Sequence, residues 1–311
     1  MPRPTDIRAL AAGRVGIALL LAAALVAACG GGPAVPGPSA GGRLQVVTTT
    51  TVFADLAAQV GGDRVDAQSL VPKGGDVHTF DPRPSDIRRI ASAAVVIRNG
   101  LGLDDWLAKL VADASSSASE VVLGEHLAGV AYVTSASGQV NPHVWMNVAY
   151  AALYVDRIEA ALAAADPADA SAFAANAAAY KASLARLDSD TRARLGAIPA
   201  ANRVVISFHD AFPYFAAAYG LTVVGTIVDA PGQDPSAGQI ADLVARVKTS
   251  GARAIFAEAQ FNTDLAAAIA SETGVTVVRG LYDDTLGDAP EDTYLGAMTW
   301  NANEVAAALG G

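Results

Sequence analysis

The sequence predicts an α/β protein with two lobes joined by one long helix. Apolar, β-rich runs alternate with helix-like stretches before residue 167 and again after residue 197. This order is typical of parallel sheets with crossover helices. Between the two blocks lies a helical run without internal glycine or proline before Gly196. A chain of 311 residues, 52% of them hydrophobic and 17% charged, is long enough and apolar enough to build two such cores.

Residues 1–28 predict a secretory signal. Basic residues precede an apolar run from Val15 to Ala28, and this run is shorter than the ~20 residues that cross a bilayer. The small residues before Cys29 resemble the lipobox of bacterial lipoproteins, which implies that Cys29 is lipidated. The alternative is an uncleaved anchor helix with a free thiol. Cys29 is the only cysteine, so no intrachain disulfide can form. The Gly/Pro-rich residues 29–42 predict a flexible tether.

Residues 43–166 predict the N-terminal lobe. Its first strand and helix are predicted at LQVVTTT and VFADLAAQVGG, where glycine ends the helix. A strand, a short helix, a strand and a helix follow at VDAQSLV, SDIRRIASA, AVVIRNG and DDWLAKLVADA. The run NVAYAALYVDRIEAALAAAD predicts the helix that ends this lobe.

Residues 167–197 predict the linking helix, because apolar side chains recur there at three- to four-residue spacings. Its length is about 28 residues, or roughly 40 Å. Residues 198–311 restart the α/β alternation and predict the C-terminal lobe. Its strands are predicted at RVVISF, LTVVGTIV, RAIFAE and VTVVRG, and its helices at AFPYFAAAYG, SAGQIADLVARVKTSG, NTDLAAAIASETG and EDTYLGAMTWNANEVAAALG.

The formal net charge of −10 indicates the kind of ligand to expect. An acidic surface repels phosphate backbones, which argues against nucleic acid as a partner, and it suits a cation. Three of the four histidines lie where they would face the cleft between the lobes. His78 follows the second strand in a turn-rich segment, His143 precedes a helix, and His209 directly follows the strand RVVISF.

A single loop histidine is usually structural, but three histidines converging on one cleft indicate a metal site. Neutral imidazole is a common ligand of transition metals. Asp283 and Asp284 stand side by side after the last predicted strand, and either of them offers a carboxylate as a fourth donor. Tetrahedral zinc uses such a mixture of nitrogen and oxygen donors.

The motifs around these residues resemble the cluster A-I family of periplasmic or lipoprotein metal-binding proteins, which serve ABC transporters for zinc and manganese. VPKGGDVHTFDPRPSD resembles the first ligand loop and implies a ligand at His78. NPHVWMN resembles the second motif, which usually reads Asp-Pro-His-x-Trp, and implies a ligand at His143 although Asn141 replaces the usual aspartate. SFHDAFPYFAAAYGL resembles the third motif and implies a ligand at His209.

The stretch DDTLGDAPEDTYLGAMTWN resembles the fourth motif, in which the Asp-(Ser/Thr)-(Leu/Ile) pattern falls on Asp284 and leaves Asp283 as its neighbour. The resemblance covers residues 43–311. Glu258, at the end of the strand RAIFAE, is a candidate to orient a ligand histidine, and a surface or helix-capping role is the alternative.

The donor types favour zinc, with manganese as the alternative. Three imidazoles and one carboxylate suit zinc, whereas the family's manganese binders commonly have a carboxylate at the position of His209. Many of the family's zinc binders also carry a His-rich loop between the first two motifs. Here that region contains only His126, which we interpret as a solvated loop residue rather than an accessory ligand.

The resemblance implies a solute-binding protein without enzymatic activity. It would deliver its ion to an ABC permease driven by a cytoplasmic ATPase. We expect a monomer that is lipid-anchored to the outer face of the cell membrane, or periplasmic. The alternatives from other classes are a zinc hydrolase, a metal-binding surface adhesin and a binder of siderophores or vitamins. The sequence lacks an H-E-x-x-H motif, and Asp284 would close the position that a hydrolytic water needs.

Overall fold

Two parallel β-sheets organise the protein. The computed structural model describes residues 42–134, 138–228, 231–232 and 235–310. The predicted signal, Cys29 and the predicted tether up to residue 41 lie outside these residues. The first sheet has the strand order β2-β1-β3-β4, with β1 at Leu44–Thr48, β2 at Val65–Ser69, β3 at Val95–Arg98 and β4 at Ser119–Val122. The second has the order β6-β5-β7-β8, with β5 at Val204–Ser207, β6 at Thr222–Thr226, β7 at Ala254–Glu258 and β8 at Thr276–Leu281.

Nine α-helices lie in the described residues and connect or flank these strands. The helices of the first half are α1 (Thr51–Gly61), α2 (Pro84–Ser92), α3 (Trp106–Asp113) and α4 (Val148–Ala165). Those of the second half are α5 (Ala170–Gly196), α6 (Pro213–Tyr219), α7 (Ala237–Ser250), α8 (Asp264–Thr273) and α9 (Tyr294–Leu309). Within the described ranges, no helix combines the length and the apolar character that a membrane crossing requires.

Helix α1 begins and ends at residues suited to those positions. The hydroxyl of Thr50 accepts a hydrogen bond from the main-chain N–H of Phe53, which satisfies one of the free donors of the first turn. At the other end Gly62 has a φ of 59°, a conformation that glycine adopts without steric cost. The helix buries Phe53 and Leu56 against the first sheet, and burial of each such side chain contributes roughly 1.5–3 kcal/mol.

Both faces of the first sheet are buried. Val46 of β1 packs in the same cluster as helices α1 and α4, whereas Val47 points to the other face and packs with Ile90 of α2 and Leu107 of α3. Parallel strands that are covered on both faces read as nearly continuous apolar runs. This is why VVTT and AVVI are recognisable as strands in the sequence.

The second sheet is covered in the same way. Ile206 and Ile255 pack against one face with the apolar side chains of α7 and α8. Val205 and Phe256 face the opposite side, where α6 and α9 contribute Phe215 and other buried residues. The prediction of two α/β lobes is therefore confirmed.

Helix α5 joins the two halves. It has 27 residues, or about 40 Å of helix, and contacts α1 and α4 as well as α6 and α9. Its buried face includes Phe173, Tyr180, Leu184 and Leu195. All four belong to a single hydrophobic cluster that also contains residues of both sheets. The predicted linking helix is thus packed against both lobes along its length, while the predicted domain limits at 166/167 and 197/198 stay predictions.

Strand β4 is the one element of the sheets that the sequence did not indicate. It has four residues, SEVV, of which the first two are exposed and the last two half-buried. At the edge of the sheet it pairs only with β3 in the described structure. A short, half-polar edge strand lacks the apolar run that identifies its buried neighbours.

Candidate metal centre

His78 lies in the segment between β2 and α2. Asp76 shapes the turn before it, since its carboxylate accepts hydrogen bonds from the main-chain N–H of His78 (2.9 Å) and from the hydroxyl of Thr79 (2.7 Å). The indole N–H of Trp106 donates to the carbonyl of Val77 at 3.1 Å. These contacts fix the backbone that carries the imidazole of His78, and 18% of this side chain is exposed.

His143 lies in the NPHVWMN segment, between β4 and α4, and is buried. Its imidazole Nδ1 is 3.1 Å from Oδ1 of Asn141. The amide group of Asn141 donates to the main-chain carbonyl of Asp210 (2.6 Å) and to its carboxylate (3.0 Å), two groups that can only accept. The amide oxygen of Asn141 must therefore face His143, so Nδ1 carries the proton and Nε2 is free to bind a metal.

Two tyrosines hold the same segment from the second half of the chain. The hydroxyl of Tyr214, on α6, donates to the carbonyl of Asn141 at 2.9 Å. The hydroxyl of Tyr294, on α9, donates to the carbonyl of Trp145 at 2.6 Å. Both tyrosines are buried, and together they fix the backbone on either side of His143.

His209 and Glu258 stand at the carboxyl ends of neighbouring parallel strands. His209 follows β5, and Glu258 ends β7 at a shift in the pairing register with β8. Such irregularities re-aim side chains. Nδ1 of His209 lies 3.1 Å from Oε1 of Glu258. Because a carboxylate only accepts, this contact places a proton on Nδ1 and directs Nε2 of His209 toward the first half of the chain.

Asp283 and Asp284 follow β8, which lies next to β7. The main-chain carbonyl of Asp283 accepts from the indole N–H of Trp145 at 3.0 Å. The side chain of Thr285 accepts from the N–H of Gly74 at 2.9 Å, in the loop that carries His78. The segment with the two aspartates is thus tied to both histidine segments of the first half.

The structure brings all four predicted ligands together. His78, His143, His209 and Asp284 offer donor atoms that lie within 4.8 Å of one another. Four donors at about 2.0–2.2 Å from a tetrahedral ion are roughly 3.3–3.6 Å apart. The Nε2 atoms of His143 and His209 are 3.4 Å apart, and Asp284 oxygens are 3.2 Å from Nε2 of His78, 3.5 Å from Nε2 of His143 and 3.7 Å from Nε2 of His209. The spacings therefore suit a single ion.

The hydrogen bonding of these groups also fits a cation. Neither carboxylate oxygen of Asp284, nor Nε2 of His78, has a hydrogen-bond partner among the residues that the structure describes. Asp284 is 2% exposed, and leaving a buried carboxylate without partners is costly. An ion bound between the imidazoles would satisfy all of these atoms.

The two imidazoles that are fully enclosed differ in their protonation. Burial lowers the pKa of His143 to about 3, against the opposing charge of Asp284. Burial acts in the same direction on His209, but the charges of Glu258, Asp283 and Asp284 outweigh it and raise the pKa of His209 to about 10. In the metal-free protein near neutral pH, His143 is accordingly neutral and His209 cationic.

The two neighbouring aspartates also titrate differently. Burial and the adjacent charge of Asp284 raise the pKa of Asp283 well above its ordinary value. Burial alone would raise the pKa of Asp284 as well, but the three surrounding imidazoles hold it below its usual range. The charged form of the pair therefore resides on Asp284, whose oxygens lie within 3.7 Å of Nε2 of all three histidines.

Some site residues were not anticipated. Gln260, two residues beyond Glu258, donates to Oδ1 of Asp283 at 2.6 Å. Its only signal in the sequence is its position just after a strand whose end faces the cleft. Tyr214 and Tyr294 had no signal beyond their aromatic character. His126 is exposed and is outside the groups of potential ligands found among the described residues.

Comparisons with known proteins agree with this picture. A family model described as the periplasmic zinc-uptake complex component A matches residues 46–308. The manganese-binding lipoprotein MntA of Bacillus subtilis (strain 168) is 32% identical over 300 residues, covering 94% of this chain and 97% of that protein. The iron ABC transporter substrate-binding lipoprotein MtsA of Streptococcus pyogenes serotype M1 is 27% identical over 277 residues, covering 86% and 89%.

Among solved structures, the periplasmic zinc-binding protein TroA from Treponema pallidum matches with a TM-score of 0.80 and 27% identity, over 86% of this chain and 99% of that one. Proteins of this family are substrate-binding components and not enzymes, which sets the hydrolase alternative aside. Because the family model spans most of the chain, this protein belongs to the zinc-uptake complex component A family, within the cluster A-I substrate-binding components of ABC transporters.

Proposed function

We propose that this protein captures a divalent transition metal ion, zinc before manganese, with His78, His143, His209 and Asp284 as its ligands. One observation carries the proposal: three imidazole nitrogens meet a buried carboxylate at spacings suited to one tetrahedral ion, and neither oxygen of that carboxylate has a hydrogen-bond partner in the described structure. The site draws on both halves of the chain, so a bound ion would join the two lobes.

Zinc is proposed because of the donor set. Three neutral imidazoles with a single carboxylate suit zinc, while manganese favours a larger share of oxygen donors. Manganese is the second candidate, because a relative with 32% identity carries a manganese-binding name. The name of another relative specifies iron.

The protein would present its ion to the permease of an ABC importer driven by a cytoplasmic ATPase. A cargo held by ligands from both lobes would be released when the lobes move apart, because separation takes His78 and His143 away from His209 and Asp284. We further propose that the chain acts as a monomer outside the cytoplasm, anchored through lipid on Cys29. The relatives named as lipoproteins support this anchor.

The proposal is tested by titrating the metal-free protein with zinc and with manganese in competition with a chelator. We expect one ion per chain, with zinc bound far more tightly. In His209→Glu a second carboxylate replaces an imidazole, and the preference for zinc over manganese should narrow by about tenfold or more.

The matched control is His126→Ala, which removes an exposed histidine outside the proposed site and should leave both affinities unchanged. If neither metal binds stoichiometrically to the wild-type protein, the proposed function is wrong. If both metals bind but His209→Glu leaves their ratio unchanged, His209 is not a ligand.

A further inference from the structure

Two threonines, one from each half of the chain, meet beside the proposed metal ligands. Thr51 is the first residue of α1, and Thr285 directly follows Asp284. Their hydroxyl oxygens are 3.5 Å apart. Thr285 is buried and Thr51 is half-buried. We refer to these two residues as the threonine pair.

Each hydroxyl of the threonine pair accepts a hydrogen bond from the backbone of the opposite half. The hydroxyl of Thr285 accepts from the main-chain N–H of Gly74 at 2.9 Å, in the loop that carries His78. The hydroxyl of Thr51 accepts from the main-chain N–H of Leu286, also at 2.9 Å. The two contacts are reciprocal, because each half supplies one donor and one acceptor. Both contacts break if the lobes separate at this point.

The threonine pair lies next to the closest approach between Asp284 and the ligand imidazoles. An oxygen of Asp284 is 3.2 Å from Nε2 of His78, a shorter distance than those to the other two imidazoles. Thr285 is the neighbour of Asp284, and Gly74 lies in the same loop as His78. His78 is half-buried, whereas the other two ligand histidines are buried. The position of His78 therefore depends more on contacts made by its loop than on side-chain packing.

We propose that the threonine pair positions His78 against Asp284 and thereby couples metal binding to contact between the lobes. This inference rests on the proposed function. Neither threonine is a proposed ligand, so both are positioning residues. Ligands that are already held at the required spacing bind an ion more tightly, because less freedom is lost on binding. The coupling is reciprocal, so a bound ion should stabilise the contacts of the threonine pair by the same factor.

The rival explanation is that the threonine pair supports the fold alone. In that case the loss of a hydroxyl would lower metal affinity by the same factor whichever ligands are present. If the pair positions His78, the loss should matter only while His78 is there to bind the ion. Gly74 is exposed, so water can replace the hydroxyl of Thr285 as the partner of its N–H. Removal of this hydroxyl should accordingly release the loop without unfolding the protein.

The experiment measures zinc affinity by chelator competition in Thr285→Val and Thr285→Ser. Valine has nearly the same size but no hydroxyl, whereas serine keeps the hydroxyl. We expect zinc affinity to fall by about tenfold in Thr285→Val and to stay close to the wild-type value in Thr285→Ser. In the background of His78→Ala, adding Thr285→Val should cost less than about twofold. In the background of His143→Ala, it should again cost about tenfold.

The matched control is Thr273→Val, which removes the hydroxyl of another half-buried threonine in the second half. This hydroxyl donates to the carbonyl of Ile269 within α8, at 2.7 Å. The control should leave zinc affinity unchanged in all three backgrounds.

A second measurement uses the wild-type protein and stays available if the variants do not fold. The main-chain amides of Gly74 and Leu286 should exchange hydrogen about tenfold more slowly in the zinc-bound protein than in the metal-free protein, because the coupling is reciprocal.

The positioning role would be overturned by an unchanged affinity in Thr285→Val, by equal losses with and without His78, or by exchange rates that zinc does not alter. Each of these results would leave the metal-binding function intact. Absence of zinc binding by the wild-type protein would overturn both.

Discussion

The imidazole of His209 rests against the carboxylate of Glu258, with 3.1 Å between Nδ1 and Oε1. The two residues stand at the carboxyl ends of adjacent parallel strands, and both are buried. The carboxylate keeps a proton on Nδ1 of the imidazole, since it can only accept a hydrogen bond there. It also sets the orientation of Nε2 toward His143, 3.4 Å away.

Replacing Glu258 by Gln should weaken metal binding while preserving the fold. The glutamine carbonyl can still accept from Nδ1 of His209, but it lacks the charge that makes the imidazole a stronger donor to the metal. We expect zinc affinity to fall by about tenfold, measured by chelator competition. Glu272→Gln is the control, because Glu272 is an exposed residue paired with Lys248. Equal affinities in both variants would argue against any role of Glu258 in the site.

Metal binding should release protons and weaken as the pH falls. The pKa of His209 in the metal-free protein is raised to about 10: burial opposes the raised value, but the charge of Glu258 and of the two aspartates outweighs it. At neutral pH the metal must therefore displace a proton from His209. His143, whose pKa burial lowers to about 3, is already neutral and contributes none.

The sign of the pH effect follows from these two groups. Below the raised pKa of His209, each lower pH unit reduces the fraction of the protein in which this proposed ligand is deprotonated about tenfold, so affinity should fall by about tenfold per unit between about pH 9 and 6. Calorimetric titrations in buffers of different ionisation enthalpy count the protons, and we expect at least one per zinc ion. A pH-independent affinity across this range would contradict the cationic state of His209.

The grouping of the four proposed ligands could be predicted from the sequence because each of these residues sits in a local pattern. His209 follows a recognisable buried strand, and His143 is flanked by Pro142 and Trp145 in a motif with few alternatives. The order of strands and helices was predictable for the same reason, since buried parallel strands read as continuous apolar runs.

The supporting contacts could not be predicted, because they join residues that are distant in the chain. The hydrogen bond from Tyr294 to Trp145 spans 149 positions, and that from Tyr214 to Asn141 spans 73. Nothing in the local sequence of either tyrosine indicates its partner. The choice between Asp283 and Asp284 likewise depends on which carboxylate meets three imidazoles, a relationship that only the folded chain determines.

Asn141 and Asp210 should behave as a coupled pair. In the wild-type protein the side-chain amide of Asn141 donates to the main-chain carbonyl and to the carboxylate of Asp210. In Asn141→Asp an oxygen takes the place of this donor and faces two acceptors. Because Asn141 is 2% exposed, we expect a loss of about 1–3 kcal/mol in the free energy of unfolding. Adding Asp210→Asn restores a donor opposite residue 141 and should recover part of that loss.

A double-mutant cycle with urea unfolding of the metal-free proteins measures this coupling. The single variant Asp210→Asn should cost less than Asn141→Asp, since the side chain of Asp210 is only half-buried. Strict additivity of the two changes would refute the coupling. It would mean that the amide of Asn141 finds other partners when Asp210 is altered.

Tyr294→Phe should destabilise the protein more than a comparable change elsewhere. The substitution keeps the buried ring but removes the hydroxyl that donates to the carbonyl of Trp145 at 2.6 Å. That carbonyl lies in the buried segment beside His143, so the lost contact should lower the free energy of unfolding by about 1–3 kcal/mol. Zinc affinity should fall as well, because Trp145 in turn holds the carbonyl of Asp283 through its indole N–H.

Tyr150→Phe is the matched control for Tyr294→Phe. The hydroxyl of Tyr150 accepts from the N–H of Ala131 at an exposed position, at 3.2 Å, where water can replace it. Its loss should change the free energy of unfolding by no more than about 0.5 kcal/mol. If urea unfolding gives equal values for both variants, the hydroxyl of Tyr294 is not what fixes Trp145, and packing of the aromatic rings must hold the segment instead. If Tyr294→Phe lowers stability but leaves zinc affinity unchanged, α9 supports the backbone at Trp145, but this support does not affect the geometry of the proposed ligands.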